Sequence, residues 1–249
     1  MQGADQSPAD AMKVKAAQVV FVNGLGLEGW MDRFFKASGS TAPMIVASTG
    51  VKPIEGAEDG HDTHTGHGGE HAEHRLDSHA WQNVANVKLY VANIRDALIQ
   101  ADPGGKQTYD GNAARYLSTL DSLDAEVRTA IAKIPVDRRR IITTHDALGY
   151  FAAAYGIQVI APQGVSTEAE ASAQDVARII RQIRAEKIPA VFIENISDDR
   201  LMQRIAKETG ARIGDKIYSD ALSEPDGPAG TYVDMIRNNV RAFSAALMG

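Results

Sequence analysis

The sequence predicts an α/β fold with parallel sheets and one helix long enough to connect two lobes. From residue 141 onward, short apolar strands alternate with helical segments, which is typical of a parallel sheet. An apolar repeat of helical period covers residues 107–134 and corresponds to a helix about 40 Å long, a rigid strut between lobes. The length of 249 residues, 44% of them apolar, allows one large domain or two modest lobes.

The individual elements follow from local signals. Ser7 suits a helix N-cap and Pro8 the first helical position, which predicts a short helix ending near Ala17. The other elements of the first half are two strands, at 19–22 and 44–47, a helix containing Trp30 between them, and a helix from Gln82 to Asp102. In the second half, strands at 141–144, 158–161, 190–194 and 212–218 precede helices at 148–155, 168–186, 199–209 and 231–247.

Composition excludes several classes of protein. The formal charge is −6, from 26 basic and 32 acidic residues, and no basic stripe occurs, which argues against a nucleic-acid binder. No run of 18 apolar residues exists that could span a membrane, and residues 1–5 show no signal-peptide pattern. Cysteine is absent, so any metal must be held by histidine and carboxylate ligands.

Two histidines and one aspartate are candidate metal ligands. His79 stands just before a predicted helix, while His145 and Asp220 each follow a predicted strand, where α/β sheets present their functional groups. Imidazole and carboxylate donors on different elements suit zinc in tetrahedral geometry. The alternative is that the three residues have separate structural roles and do not meet.

Residues 55–78 form a polar, histidine-rich loop with almost no apolar residues. Its histidines, spaced mostly three or four residues apart, are His61, His64, His67, His71 and His74. Neutral imidazoles bind zinc, copper and nickel, so the loop is expected to bind metal with modest affinity, as an auxiliary metal-binding segment. The alternative is a solvated loop that binds metal only incidentally.

The glycine-rich stretch 24–29 fits the G-x-G-x-x-G pattern of dinucleotide-binding folds. The acidic residue expected about twenty positions later is missing, however, and Glu28 places a negative charge where a pyrophosphate would lie. We therefore expect these glycines to form a tight turn between a strand and a helix.

Five short segments, in order along the chain, resemble the metal-binding receptors of zinc and manganese ABC importers, the cluster A-I solute-binding proteins. The segments are AQVVFVNGLGLEGW (17–30), SHAW (78–81), TTHDALGYF (143–151), PQG (162–164) and YSDALS (218–223). The similarity is closest to the periplasmic zinc-uptake type, since histidine at position 145 and a histidine-rich loop before His79 resemble the zinc members, whereas manganese members tend to have glutamate at the first of these positions.

The resemblance implies a periplasmic, non-enzymatic receptor that captures Zn(II) in a cleft between two lobes. It assigns residues 1–104 to the first lobe, 105–134 to the linking helix and 135–249 to the second lobe. His79, His145 and Asp220 would hold the ion. The partners would be an ABC transporter permease and a zinc metallochaperone, and the protein would be a monomer. Protonation of the ligands should weaken binding below pH about 6.5.

The chain departs from this family pattern at its start. The family's first strand, helix and second strand are not present, so the first lobe is expected to be incomplete, and the metal-ligating histidine that normally precedes Ser7 is absent. With only three candidate metal ligands in the chain, two functions other than a zinc receptor remain open. One is a zinc buffer or chaperone-acceptor dominated by the loop, and the other is a metallohydrolase with Asp146 or Glu194 as general base.

Overall fold

A computed structural model describes residues 7–56, 76–164 and 172–248. Within these ranges the fold consists of two separate parallel sheets with helices packed around them and one long helix between them in sequence. The predicted α/β class with parallel sheets and a long helix is therefore confirmed.

The N-terminal sheet has two parallel strands, with Val20 opposite Met44 and Val22 opposite Val46. The helix before it starts at a capping box, because Ser7 accepts a hydrogen bond from the Asp10 amide and the Asp10 carboxylate bonds back to Ser7. The elements of this half are α1 (Pro8–Ala16), β1 (Val20–Val22), α2 (Met31–Ser38), β2 (Met44–Val46) and α3 (Val84–Ala101). A 3₁₀ turn at Ala80–Gln82 leads into α3.

The C-terminal sheet has four parallel strands in the order β4-β3-β5-β6. Its strands are β3 (Arg140–Ile142), β4 (Gln158–Ile160), β5 (Ala190–Val191) and β6 (Arg212–Ile213). Its helices are α5 (Gly149–Tyr155), α6 (Ala173–Glu186), α7 (Arg200–Thr209) and α8 (Tyr232–Met248). Because all four strands run in parallel, the loops that follow them lie at one edge of the sheet.

The long helix α4 (Lys106–Ala132) packs its apolar stripe into the largest core of the protein. Leu120, Leu123, Val127 and Ile131 are buried in it, together with residues of α3, α5 and α8. The helix thus joins α3 to the strands and helices of the C-terminal half through one continuous apolar core.

All six predicted strands are shorter in the structure, four of them by one residue and two of them by more. The strand predicted at 190–194 keeps only Ala190–Val191, and that predicted at 212–218 keeps only Arg212–Ile213. Beyond these residues the two strands separate into loops, which meet again at an isolated bridge between Glu194 and Ile217. The predicted start of helix 168–186 and most of the loop 55–78 fall outside the described residues, although the ends of that loop pair at Glu55 and Leu76. In the described ranges, none of the helices combines the length and apolar character needed to cross a membrane.

Candidate metal site

The structure brings together the three residues that the sequence singled out. His79 lies at the start of the 3₁₀ turn before α3, His145 follows β3, and Asp220 lies in the loop after β6. One ligand atom from each lies within 4.8 Å of the others, and among the described residues this is the one such group of three or more His, Asp and Glu side chains. The two imidazole rings have their centroids 5.4 Å apart.

Asp220 lies between the two histidines, with one carboxylate oxygen toward each. Nε2 of His79 is 3.4 Å from Oδ1 of Asp220, and Nε2 of His145 is 3.3 Å from Oδ2. Both distances exceed the usual N–H···O length of about 2.9 Å. Two ligands of a tetrahedral ion with bonds of about 2.0–2.1 Å lie about 3.3–3.4 Å apart. The spacing therefore fits side chains arranged around a small cation.

The atoms that face each other in this group are buried and lack good partners. His79 and His145 are fully buried, and Asp220 keeps 9% of its side chain exposed. Nε2 of both histidines and Oδ1 of Asp220 form no hydrogen bond within the described residues. Buried polar atoms without a partner are costly, and a divalent cation held between these three atoms would satisfy them.

Asp77 orients the imidazole of His79. Oδ1 of Asp77 accepts a hydrogen bond from the backbone amide of His79 at 2.8 Å and lies 2.8 Å from its Nδ1. The segment is also tied to the N-terminal sheet, because the side-chain amide of Asn23, just after β1, donates to the carbonyl of Ser78. With Nδ1 held by a carboxylate, the ring directs Nε2 into the group.

Glu194 contacts both the backbone and the ring of His145. Oε1 of Glu194 accepts hydrogen bonds from the amides of Thr144 and His145, at 2.8 and 3.0 Å. Oε2 lies 2.7 Å from Nδ1 of His145 and accepts a hydrogen bond of 2.5 Å from the hydroxyl of Ser219. The sequence had suggested Glu194 only as a general base, but its carboxylate lies on the Nδ1 side of the ring, away from the Nε2 atoms.

The residues around His79 are joined directly to the loop that carries Asp220. The carbonyl of Ser219 accepts hydrogen bonds from the indole of Trp81 at 3.0 Å and from the side-chain amide of Gln82 at 2.9 Å. The hydroxyl of Tyr232, in α8, donates to the carbonyl of Trp81. These bonds hold the two sides of the site against each other.

Opposing charges shift the pKa values of all three residues. Burial alone would lower the pKa of His79, but the Asp220 and Asp77 carboxylates outweigh it and raise the pKa to about 9. Burial likewise opposes the charge of His145, yet Asp220 and Glu194 raise its pKa to about 10. Burial favours the neutral form of Asp220, but the two imidazoles hold the pKa of its carboxyl well below the usual range.

The glycine-rich stretch 24–29 forms a tight turn after β1. Gly24 has a φ of +84°, and a Cβ at this position would lie 2.4 Å from a side-chain carbon of Val46. The amides of Asn23 and Gly24 donate to the carboxylate of Glu28, so Glu28 occupies the place where a dinucleotide phosphate would accept these bonds. The turn is therefore closed by the chain's own carboxylate, in keeping with the interpretation of these glycines as a turn.

The roles of Asp77 and Glu194 toward the two histidines were not evident from the sequence. The signal for Asp77 was its position two residues before His79, and that for Glu194 was a carboxylate at the end of a predicted strand. The loop histidines proposed as auxiliary metal ligands lie outside the described residues; they are His61, His64, His67, His71 and His74.

Comparisons with known proteins agree with this architecture. The model of the family "Zinc-uptake complex component A periplasmic" matches residues 3–246. Iron-binding protein YfeA of Yersinia pestis is 32% identical over 94% of this chain and 71% of its own length. Manganese-binding lipoprotein MntA of Halalkalibacterium halodurans is 32% identical over 96% of this chain and 75% of its own.

Solved structures show the same fold. The Mn-bound periplasmic metal-binding protein from Candidatus Liberibacter asiaticus superposes with a TM-score of 0.85 at 28% identity, covering 99% of this chain and 86% of that one. The periplasmic zinc-binding protein TroA from Treponema pallidum gives a TM-score of 0.85 at 29% identity, covering 97% and 84%.

The family match extends over nearly the whole chain and includes every residue of the site described above. Proteins of this family are metal-binding receptors of ABC importers that work outside the cytoplasm and are not catalytic. The chain belongs to the ZnuA-type family of periplasmic, metal-binding solute-binding proteins.

Proposed function

We propose that this protein is a zinc receptor that captures Zn(II) through His79, His145 and Asp220 and delivers it to an ABC transporter permease. The observation that supports this most strongly is the convergence of two buried Nε2 atoms and one carboxylate at spacings of 3.3 and 3.4 Å. The donor set favours zinc over manganese, since imidazole suits zinc, whereas manganese prefers carboxylate, carbonyl and water oxygens. The names of the relatives include iron, manganese and zinc, so the metal is the first property to test.

The proposal includes the organisation that the resemblance implies. We assign residues 1–104 and 135–249 to two lobes and 105–134 to the connecting helix, with the ion held where the lobes meet. We place the protein in the periplasm, as a monomer that receives zinc from a metallochaperone through the histidine-rich loop. Hydrogen bonds from Trp81 and Gln82 to the carbonyl of Ser219, which cross between the proposed lobes beside Asp220, support a site at that junction.

The decisive experiment measures zinc affinity by competition with a chelator at neutral pH. The parent is compared with a double variant, His79→Ala plus His145→Ala, and with a control in which the five loop histidines 61, 64, 67, 71 and 74 are alanine. We expect the double variant to lose tight binding and the loop variant to keep it. Equal affinity of the double variant and the parent would show that the site is wrong.

Further outcomes of the same experiment separate the other functions. Loss of all tight binding in the loop variant would favour a zinc buffer or chaperone-acceptor. Tighter binding of Mn(II) or Fe(II) than of Zn(II) by the parent would contradict zinc but leave the receptor function intact. A hydrolase finds no support in the contacts of Glu194, because this carboxylate faces Nδ1 of His145 and not the atoms that would hold the ion.

A further inference from the structure

Glu194 is a buried carboxylate at the centre of the C-terminal sheet. It is 1% exposed and follows β5, the strand that lies between β3 and β6. His145 follows β3, and Asp220 lies in the loop after β6. The carboxylate is therefore placed between the two chain segments that carry the C-terminal members of the site.

Four groups approach the carboxylate of Glu194, two at each oxygen. Three belong to the segment after β3 and one to the segment that leads to Asp220. Oε1 accepts the amides of Thr144 and His145, which fixes the backbone after β3. Oε2 contacts Nδ1 of His145 and accepts the hydroxyl of Ser219, the residue directly before Asp220. A single side chain thus holds the backbone and the ring of one proposed ligand and the chain neighbour of the other.

This arrangement has a direct consequence for metal binding. A histidine that binds a cation through Nε2 must carry its hydrogen on Nδ1, and a carboxylate 2.7 Å from Nδ1 favours that form of His145 by its charge. The bond to Ser219 adds a second constraint, because it fixes the start of the loop that carries Asp220. Glu194 therefore contacts both chain segments that carry the facing atoms, Nε2 of His145 and Oδ2 of Asp220.

We propose that Glu194 is a positioning residue that sets the relative placement of His145 and Asp220 for the bound cation. This inference rests on the proposed function, in which these two residues are ligands. Glu194 itself does not touch the cation, since its carboxylate lies on the far side of the imidazole.

The test uses two variants of the full chain and one control. Glu194→Gln keeps the size of the side chain and one acceptor oxygen, but it places an NH₂ group against Nδ1 of His145 and the Ser219 hydroxyl. Ser219→Ala removes only the hydroxyl and keeps the carbonyl that Trp81 and Gln82 bind. The control is Glu186→Gln, which neutralises an exposed glutamate at the end of α6.

We expect zinc affinity to fall about 10- to 100-fold in Glu194→Gln, the range typical of partners of metal-bound histidines. In Ser219→Ala we expect a loss of about three- to tenfold, the effect of one hydrogen bond. The visible spectrum of bound Co(II), which reports ligand geometry and not folding, should change in both variants and remain that of the parent in the control.

Parent-like affinity and Co(II) spectra in both variants would overturn the inference, and so would an effect of Glu194→Gln with none of Ser219→Ala, because Glu194 would then act on His145 alone. If Glu194→Gln does not fold, Ser219→Ala decides in the same way. A parent that binds no cation through His79 and His145 would overturn the proposed function as well, whereas unchanged variants of a zinc-binding parent overturn only this inference.

Discussion

The two sides of the metal site hold their residues in different ways. On the N-terminal side, His79 is oriented by Asp77, two residues earlier in the chain. On the C-terminal side, the backbone amide of His145 donates to Glu194, 49 residues later, and the same carboxylate accepts the hydroxyl of Ser219, 25 residues further on. The N-terminal side is therefore organised within one short segment. The C-terminal side is organised only when the segments that follow β3, β5 and β6 have come together.

The placement of the site residues therefore has two origins, the local conformation of one segment and the assembly of the C-terminal sheet. The contact between Asp77 and His79 requires only that a short segment adopt its local conformation. The contacts of Glu194 require β3, β5 and β6 to be in register, so the placement of His145 and Asp220 depends on the assembled sheet. We therefore expect the C-terminal side to couple metal binding to folding more strongly than the N-terminal side.

The largest expected effect concerns both histidines and is a dependence of zinc affinity on pH. With pKa values of about 9 and 10 in the metal-free protein, His79 and His145 both carry a proton at pH 7. Zinc must displace these protons, so each histidine lowers the apparent affinity by up to about tenfold for every pH unit below its pKa. Calorimetric titrations between pH 6 and 9, in buffers of different ionisation enthalpy, measure the affinity and the protons released.

These pKa values change the expectation that the sequence alone supports. Unperturbed imidazoles, with a pKa of about 6.5, would lose zinc only below that pH. The carboxylates around them extend the competition with protons to about pH 9 for His79 and about pH 10 for His145. An affinity that stays constant between pH 7 and 9, without proton release, would contradict the raised pKa values of both residues.

The next effect concerns Asp220, the one residue that faces both sides. In Asp220→Asn the shared negative charge is removed, and we expect zinc affinity to fall at least about hundredfold, more than for the loss of a partner that only supports a ligand. Chelator competition measures this loss. The matched control is Asp226→Asn, an exposed aspartate of the same loop, which should bind zinc like the parent. A small loss in Asp220→Asn would mean that the two histidines suffice.

A third prediction compares the two supporting carboxylates through the stability of the metal-free protein. Glu194→Ala leaves two buried amides and the Ser219 hydroxyl without their acceptor, and we expect a loss of about 3–5 kcal/mol. Asp77→Ala leaves one amide and one imidazole nitrogen without their acceptor, and we expect a loss of stability of about 1–3 kcal/mol. Denaturant unfolding of each variant, with the chelator present, measures both values. Equal losses would remove the distinction between local and sheet-dependent support.

The sequence predicted most of the fold because the signals of its helices are local. Ser7 with Asp10 marks the start of α1, and the apolar repeat of α4 predicted that helix to within two residues at each end. The lengths of β5 and β6 were not predictable in the same way. Apolar residues continue beyond the ladder of β5, at Phe192 and Ile193, and resume after β6 at Ile217 and Tyr218, so only the register with neighbouring strands determines where pairing stops.

The same division applies to the residues of the site. The sequence identified His79, His145 and Asp220 as candidates, from their positions at element ends and from a family resemblance. The roles of their partners were less accessible. Asp77 is close in sequence to His79, but the contacts of Glu194 depend on strand order, which a pattern of apolar residues does not specify.

The smallest expected effect tests the bonds that join the two sides. Gln82→Leu removes one of the two hydrogen bonds to the carbonyl of Ser219 and leaves that from Trp81. We expect zinc affinity to fall about threefold, the effect of one hydrogen bond, because the Asp220 loop loses part of its tie to the His79 segment. The control is Gln100→Leu, on the exposed face of α3, which should match the parent in the same competition assay. If Gln82→Leu also matches the parent, the bonds of Trp81 and Tyr232 hold the two sides together without Gln82. The two sides of the site then differ only in how Asp77 and Glu194 support their histidines.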